Sequence, residues 1–437
     1  MNLVNVFIGS IYIAGDSKVS DPLTFLDLFA GAGGLSEGFI RAGYSPIAHV
    51  EMDLAACYTL KTRAAYHWLK KEGKINIYDD YLHGKINRSQ LYDAVPESLI
   101  NSVVNSEISE ESLPAVFSEI DSLLDGQPLD LVIGGPPCQA YSLVGRSRDS
   151  NRMKGDKRNY LFIYYAEFLK KYKPKYFVFE NVTGLLSAKS PEGELYFNIM
   201  RELFREAGYE TEYKILSAND YGVLQKRKRI ILVGKRGNEI NFFPEPKMWK
   251  PKVNVSEILD DLPMIKAGEG SLSPCNLGNY DGIYLYKSGI RDSSSPVTLH
   301  QARPHTEQDL EIYRIVVQKW NEKCDRLDYN DLPEALKTHN NRSSFLDRFK
   351  VVAANAESSH TVVAHICKDG HYYIHPDIKQ NRSLTPREAA RLQTFPDNYF
   401  FESVSEKPGR TAAYKQIGNA VPVLLSQKIA EKLKKVW

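Results

Sequence analysis

The residues able to do chemistry fall in four short segments. In Gly134-Gly-Pro-Pro-Cys-Gln-Ala-Tyr-Ser142, two prolines stiffen the backbone beside Cys138, directly after an apolar run. A rigid loop with basic residues downstream suits an exposed cysteine held as its nucleophilic thiolate. The plain alternative is a buried cysteine serving as a small apolar residue. Glu180-Asn-Val182 closes a second apolar run. A carboxyl there must pair or stay protonated, and either state suits a hydrogen bond to a ring nitrogen; otherwise it caps a strand. In Gln225-Lys-Arg-Lys-Arg229, strand alternation sends Arg227 and Arg229 to one face, as an anion or carbonyl clamp or as a solvated basic edge. Finally, Asp27-Leu-Phe-Ala-Gly-Ala-Gly-Gly34 sets glycines between a strand and a helix, where backbone N–H groups can meet a ligand, or where the chain simply turns. Glu51, at the end of the next apolar run, is placed to hold a pair of ribose hydroxyls.

The elements that must position these groups are legible as a rhythm. Leu23–Leu28, Pro46–Val50, Leu129–Ile133, Tyr176–Phe179 and Arg229–Gly234 read as short buried strands. Helical pattern covers Leu35–Ala42, Tyr160–Lys171 and Leu195–Ala207, so a parallel α/β sheet is expected, with ligands at the carboxyl ends of its strands. After Gly234 the rhythm gives way to loops rich in Pro, Gly, Ser and Asn, with one helical stretch at Glu307–Trp320. The division read from this is an α/β domain at 1–235, a second, smaller domain at 236–400 and a C-terminal segment at 401–437. Within Arg382–Pro396, Thr385, Pro386 and Glu388 form the start of a helix with a capping box, and Asn419 lies on a Gly-Asn turn before a C-terminal helix.

Composition narrows the class. The 437 residues are 43% apolar and 25% charged, an ordinary globular balance that excludes a disordered, collagenous or membrane-embedded chain. The formal charge is only +2, but its distribution is uneven. Ala94–Asp130 holds eight acidic residues and no Lys or Arg, whereas Leu143–Lys175 holds ten basic and three acidic ones. The second stretch attracts a polyanion and the first repels it. The five cysteines make no CxxC pair or metal-ligand spacing, so no metal is expected and a reducing, cytoplasmic setting is. Met1–Gly15 is apolar but lacks a basic leader and is too short to span a bilayer.

In their order, from residue 27 to 422, these segments resemble the DNA (cytosine-5) methyltransferases: P-P-C-Q after a strand, E-N-V, Q-x-R-x-R, R-x-L-T-x-R-E and Y-K-Q-x-G-N-x-V-P. The resemblance implies an S-adenosylmethionine-dependent methyltransferase (Rossmann-like) sheet and a smaller target-recognition domain. It implies that S-adenosyl-L-methionine is held by Phe29, Ala32, Gly33, Gly34, Glu51, Met52, Pro137, Leu161 and Asn419. Asp80, in Ile77-Tyr-Asp-Asp80, is the candidate for the acidic residue at the adenine amino group. Cys138 would add to carbon 6 of cytosine, Glu180 would hold ring nitrogen 3, Arg229 the exocyclic oxygen, and Arg227 would brace the loop and the adduct. The cytosine must be flipped out of double-stranded DNA to be reached. Gln139, Ser142, Arg146, Arg148, Arg303, Arg342 and Thr361 are the expected DNA contacts, and a cognate restriction endonuclease is the implied companion.

Three other readings compete. An RNA cytosine methyltransferase would share the chemistry, but the long insertion between Gly234 and Arg382 favours a duplex-reading module. A catalytically inactive DNA-binding regulator would not need the intact P-P-C-Q, E-N-V and Q-x-R-x-R set. A dinucleotide oxidoreductase requires G-x-G-x-x-G, whereas this chain has G-x-G-G and would leave Cys138 without a role.

Overall fold

The computed structural model describes residues 21–137, 160–292 and 296–437. A seven-stranded sheet organises it, in the order β3-β2-β1-β4-β5-β7-β6. The strands are β1 (Thr24–Leu28), β2 (Ser45–Glu51), β3 (Val103–Asn105), β4 (Leu131–Gly134), β5 (Tyr176–Asn181), β6 (Tyr209–Ser217) and β7 (Lys228–Arg236). The first five run parallel, and β7 is inserted antiparallel between β5 and β6. Successive connections leave β1 toward β2 on one side and reach β4 on the other, so the switch point, where α/β sheets open a crevice, lies at the ends of β1 and β4.

Alternation along each strand explains the layers. Leu26, Leu28, Val132, Phe177, Phe179, Ile230 and Leu232 face one side, where helices Leu161–Tyr172 and Tyr196–Glu206 cover them. Phe25, Leu131, Ile133, Tyr176, Val178, Ile231 and Val233 face the other. There α1 (Gly34–Arg41) and helix Val423–Lys435 pack together. Beyond β2, α2 (Leu54–Lys71) begins at an N-cap made by Asp53, whose side chain accepts from the N–H groups of Ala55 and Ala56. α3 (Ile75–Leu82) follows.

The five strands read from apolar runs are present, and two more accompany them. β3 is only three residues long. β6 is an edge strand whose residues Tyr213, Lys214 and Ile215 are exposed, so it has no continuous apolar run to mark it. The capping box at Thr385 forms as expected, and helix Pro386–Leu392 is buried along its entire length.

Residues beyond 236 do not pack as one body apart. A small core of their own gathers on helix Glu307–Lys323 from Ile312, Tyr313, Val316, Val317, Tyr329, Phe349 and Ile374. By contrast Val255, Leu299, Val362, Leu384, Phe395, Tyr399 and Phe401 share a core with Ala65, Tyr66 and Tyr78 of α2 and α3. Three buried arginines fix this junction. Arg391 lies between Asp261 (2.5 Å) and Asp397 (2.7 Å), Arg382 pairs with Glu388 at 2.7 Å, and Arg387 donates to the carbonyls of Thr298, Pro396 and Tyr399. Among the described residues no helix is long and apolar enough to cross a membrane.

Candidate active site

The glycine loop after β1 is built from unusual backbone. Phe29, Gly31 and Gly33 have φ of 56°, 54° and 76°, and for Phe29 that left-handed conformation carries a steric cost. Its neighbours hold the loop in place. Glu51, at the end of β2, accepts from the Gly31 N–H at 2.8 Å and, through its other oxygen, from the Asp53 N–H at 2.8 Å. Burial pushes the Glu51 carboxyl up, and these backbone donors offset only part of that rise. Each oxygen accepts one backbone bond and keeps a further lone pair. In front of the loop is open space, since a Cβ built on Gly31 meets nothing within 4 Å. Behind it there is none, since a Cβ on Gly34 would stand 2.4 Å from the Val421 carbonyl oxygen. Met52, 59% exposed, borders the open side. Lys415, on helix Arg410–Asn419, reaches Asp53 at 2.6 Å, and the exposed Asn419 ends that helix.

Two strands away, β5 and β7 bring Glu180 and Arg229 together. Their antiparallel register puts Asn181 opposite Ile230, so the residues flanking that pair, Glu180 and Arg229, meet at the strand ends. Arg229 Nε lies 2.6 Å from Glu180 Oε1, and both side chains are mostly buried. Gly135, which follows β4, passes against this carboxylate: a Cβ there would stand 2.7 Å from Glu180 Oε2. Asn181 Nδ2 donates to the Pro136 carbonyl at 3.2 Å, fastening the E-N-V turn to the loop that leads into Cys138. Pro137 and Leu161 are half-buried. Cys138, Gln139, Ser142, Arg146 and Arg148 lie outside the described residues.

Three expected roles are corrected by the packing. The alternation at Gln225–Arg229 holds, with Lys226 and Lys228 exposed and Arg227 and Arg229 turned inward, but the two arginines do not form a clamp. Arg227 precedes β7, is 1% exposed, and donates to the carbonyls of Val362 (2.5 Å) and Gly418 (3.4 Å). It braces the Val362 segment and helix Arg410–Asn419. Arg303 likewise donates to the carbonyls of Ile366 and Lys368 and lies over the Tyr414 ring at 4.5 Å, so it is a staple within the fold rather than a free DNA contact. Asp80 is carried on α3 and paired with Lys85 at 2.7 Å, not at the sheet's carboxyl edge.

The acidic residue at that edge is Glu107. Asn105, the end of β3, lies opposite Glu51, its amide donates to the carbonyls of Glu51 and Met52, and the Ser106 N–H also donates to Glu51. Exposed Glu107 follows two residues after Asn105. The only sequence signal for it was the apolar pair Val103-Val104 before Asn-Ser-Glu. Thr361 donates to the Lys226 carbonyl (2.5 Å), and Arg342 stands on the surface of the small lobe, paired with Glu334 at 2.9 Å.

An α/β sheet with an inserted antiparallel β7, a glycine loop after β1 and a carboxylate ending β2 defines the methyltransferase class of this fold. Comparison with known proteins narrows it. Residues 23–91 and 109–435 match the model of the C-5 cytosine-specific DNA methylases, and the chain belongs to that family. It is a DNA (cytosine-5-)-methyltransferase. It is 43% identical to the type II methyltransferase M.Bpa9945I of Bacillus paralicheniformis, over 94% of this chain and 98% of that one. It is 30% identical to M.DdeI of Desulfomicrobium norvegicum, over 94% and 88%. A prophage-encoded E. coli protein assigned as a DNA modification methyltransferase shares the fold, with a TM-score of 0.61 at 24% identity, over 95% of this chain and 99% of that one.

Proposed function

We propose that this enzyme methylates carbon 5 of a cytosine swung out of a specific double-stranded DNA site, through a transient bond from Cys138, as the modification partner of a restriction endonuclease. The observation that carries the reading is the Glu180–Arg229 pair standing against Gly135-Pro136, three residues before Cys138.

S-adenosyl-L-methionine fits the cleft: open space before Gly31, the exposed thioether of Met52, and a Glu51 carboxylate with lone pairs to spare suit a nucleoside. When bound, it supplies an electrophilic methyl group. Glu51 is suited to the ribose hydroxyls, Met52 to one face of the adenine, and Glu107, in place of Asp80, to its amino group. Phe29, Ala32, Gly33, Gly34, Pro137, Leu161 and Asn419 complete the cleft.

The remaining chemistry belongs to the chain's own side chains. The Cys138 thiolate adds to carbon 6 of cytosine, the ring electrons shift to carbon 5, and carbon 5 becomes nucleophilic. Glu180 delivers a proton to nitrogen 3 as negative charge moves toward it and takes it back when the sulfur leaves. Arg229 orients Glu180 and neutralises the exocyclic oxygen. After methyl transfer a base removes the carbon-5 proton, and the sulfur leaves with its electron pair, restoring aromaticity. Exposed Lys226 and Lys228 at the same edge are suited to phosphates, and Arg342 on the small lobe to sequence readout.

Replacing Cys138 with Ser should abolish transfer of tritiated methyl from S-adenosylmethionine to duplex DNA; retained activity overturns the covalent route. Bisulfite sequencing of plasmid from an expressing host reads the target sequence, and a preference for transfer RNA in the same assay reverses the choice of duplex DNA.

A further inference from the structure

The left-handed backbone of the glycine loop has one internal hydrogen bond, from the Gly33 N–H to the Ala30 carbonyl at 3.0 Å, and further support on the side away from Glu51 comes from far along the chain. The Tyr399 hydroxyl donates to the Ala32 carbonyl at 2.6 Å, across 367 residues. Tyr399 is 1% exposed, and a Cβ built on Gly33 would stand 2.8 Å from its hydroxyl oxygen, so the phenol lies directly under the loop.

The ring is itself held from all sides. Arg63 sits over it at 4.7 Å, and Phe395 and Phe401 pack on it at 4.8 and 5.2 Å. The Tyr399 carbonyl accepts from Arg387 at 2.8 Å. Arg63 is in turn clamped by Glu37 of α1 (2.5 Å) and by Asn398 (2.9 Å). The phenol is therefore the end of a rigid strut, anchored in helix Pro386–Leu392 and α2.

We propose that Tyr399 is a positioning residue for cofactor binding, its hydroxyl fixing the height of the Ala32–Gly34 peptides. This rests on the reading that the loop holds S-adenosylmethionine. Without the hydroxyl, the Ala32 carbonyl loses its partner in a buried setting, and the loop relaxes from its three left-handed residues.

The test compares Tyr399→Phe with Tyr209→Phe. Tyr209, the first residue of edge strand β6, is an equally buried phenol that donates to a main-chain carbonyl, that of Pro174 at 2.8 Å. Both variants remove one oxygen, and both should lower the melting temperature modestly. Only Y399F should weaken S-adenosylmethionine binding, by about tenfold in Kd by titration calorimetry and in KM, with kcat at saturating cofactor within about twofold. Equal cofactor affinity in Y399F and wild type overturns the proposal, whatever the melting temperature does. Equal weakening in Y209F also overturns it, as a global effect. Failure of the wild type to bind S-adenosylmethionine would instead overturn the underlying reading of the loop.

Discussion

The two arginines of Gln225–Arg229 should separate cleanly on mutation. Arg227→Met keeps the apolar stem but removes the donors to the carbonyls of Val362 and Gly418 in the interior. At about 1.5–3 kcal/mol for each of the two hydrogen bonds to a charged donor, the loss is about 3–6 kcal/mol, a sizeable share of a typical 5–15 kcal/mol stability. For a chain of 437 residues, where each kcal/mol is worth about 1 °C, that lowers Tm by about 3–6 °C. Folded R227M should keep kcat within about threefold, because no reacting group is touched. Arg229→Met removes the partner of Glu180 at the strand ends of β5 and β7. Its stability loss should be about 1–3 kcal/mol, between the cost of an exposed pair and that of a fully buried one, since both side chains are mostly buried but keep some contact with solvent. Its kcat should fall about 100- to 1000-fold, the scale for removing one charge-stabilising donor. Differential scanning fluorimetry and tritium transfer on the same samples decide the matter. An R227M that melts like wild type but has lost catalysis, or an R229M that unfolds yet turns over normally, would refute the division of labour.

Other outcomes follow from the same contacts. Arg391→Met strands the buried Asp397 carboxylate, leaves Asp261 with Arg291 as its remaining partner, and should cost about 3–5 kcal/mol in urea denaturation; a shift below 1 kcal/mol contradicts the buried network. Lys415→Met releases Asp53 beside Glu51 and should raise the cofactor KM about two- to fivefold, and wild type should drift the same way in high salt because the pair is exposed; a salt-independent KM tells against it. His49 and His375 are held down to about 4 by burial. Their folded values lie below the unfolded ~6.5, so the unfolded chain takes up protons first, and stability present above pH 6.5 is lost as pH falls toward 4, about 2 kcal/mol for each histidine by pH 5. Asp27 and Glu402, pushed up by burial, act in the opposite sense and blunt the loss. Tm should therefore drop between pH 7 and 5, and His49→Gln should flatten the slope; parallel curves for variant and wild type would count against a neutral His49.

The sequence exposes what local pattern encodes. The strands that end at Glu51, Gly134 and Glu180 are apolar runs, and the capping box at Thr385 is a four-residue code, so the scaffold of the site could be read directly. Edge strand β6 could not, because its exposed middle interrupts the run of apolar residues that buried strands display. Glu107 was missed for a similar reason: a three-residue β3 sets its position, and nothing around it is periodic. Arg227 illustrates a different limit. Its inward face follows from alternation, but its partners lie 135 and 191 residues away, and which carbonyls come to meet it is a property of the assembled fold. Tyr399 and Lys415 belong to this second kind.

The packing of α1 against helix Val423–Lys435 bears on how the chain is made. Ser426 donates to the Leu35 carbonyl across 391 residues, and a Cβ on Gly38 would stand 2.5 Å from the Gln427 backbone nitrogen. At ribosomal speeds of 5–20 residues per second, about 20–80 s separate the emergence of these two surfaces. During that interval Phe25, Leu35 and Phe39 lack the side chains of Leu425, Ile429 and Leu433 that later roof them. The nascent polypeptide thus carries a sticky, half-finished wall through most of its translation, a natural client for a holding chaperone, and messages cut short before residue 423 yield an unroofed core rather than a smaller enzyme.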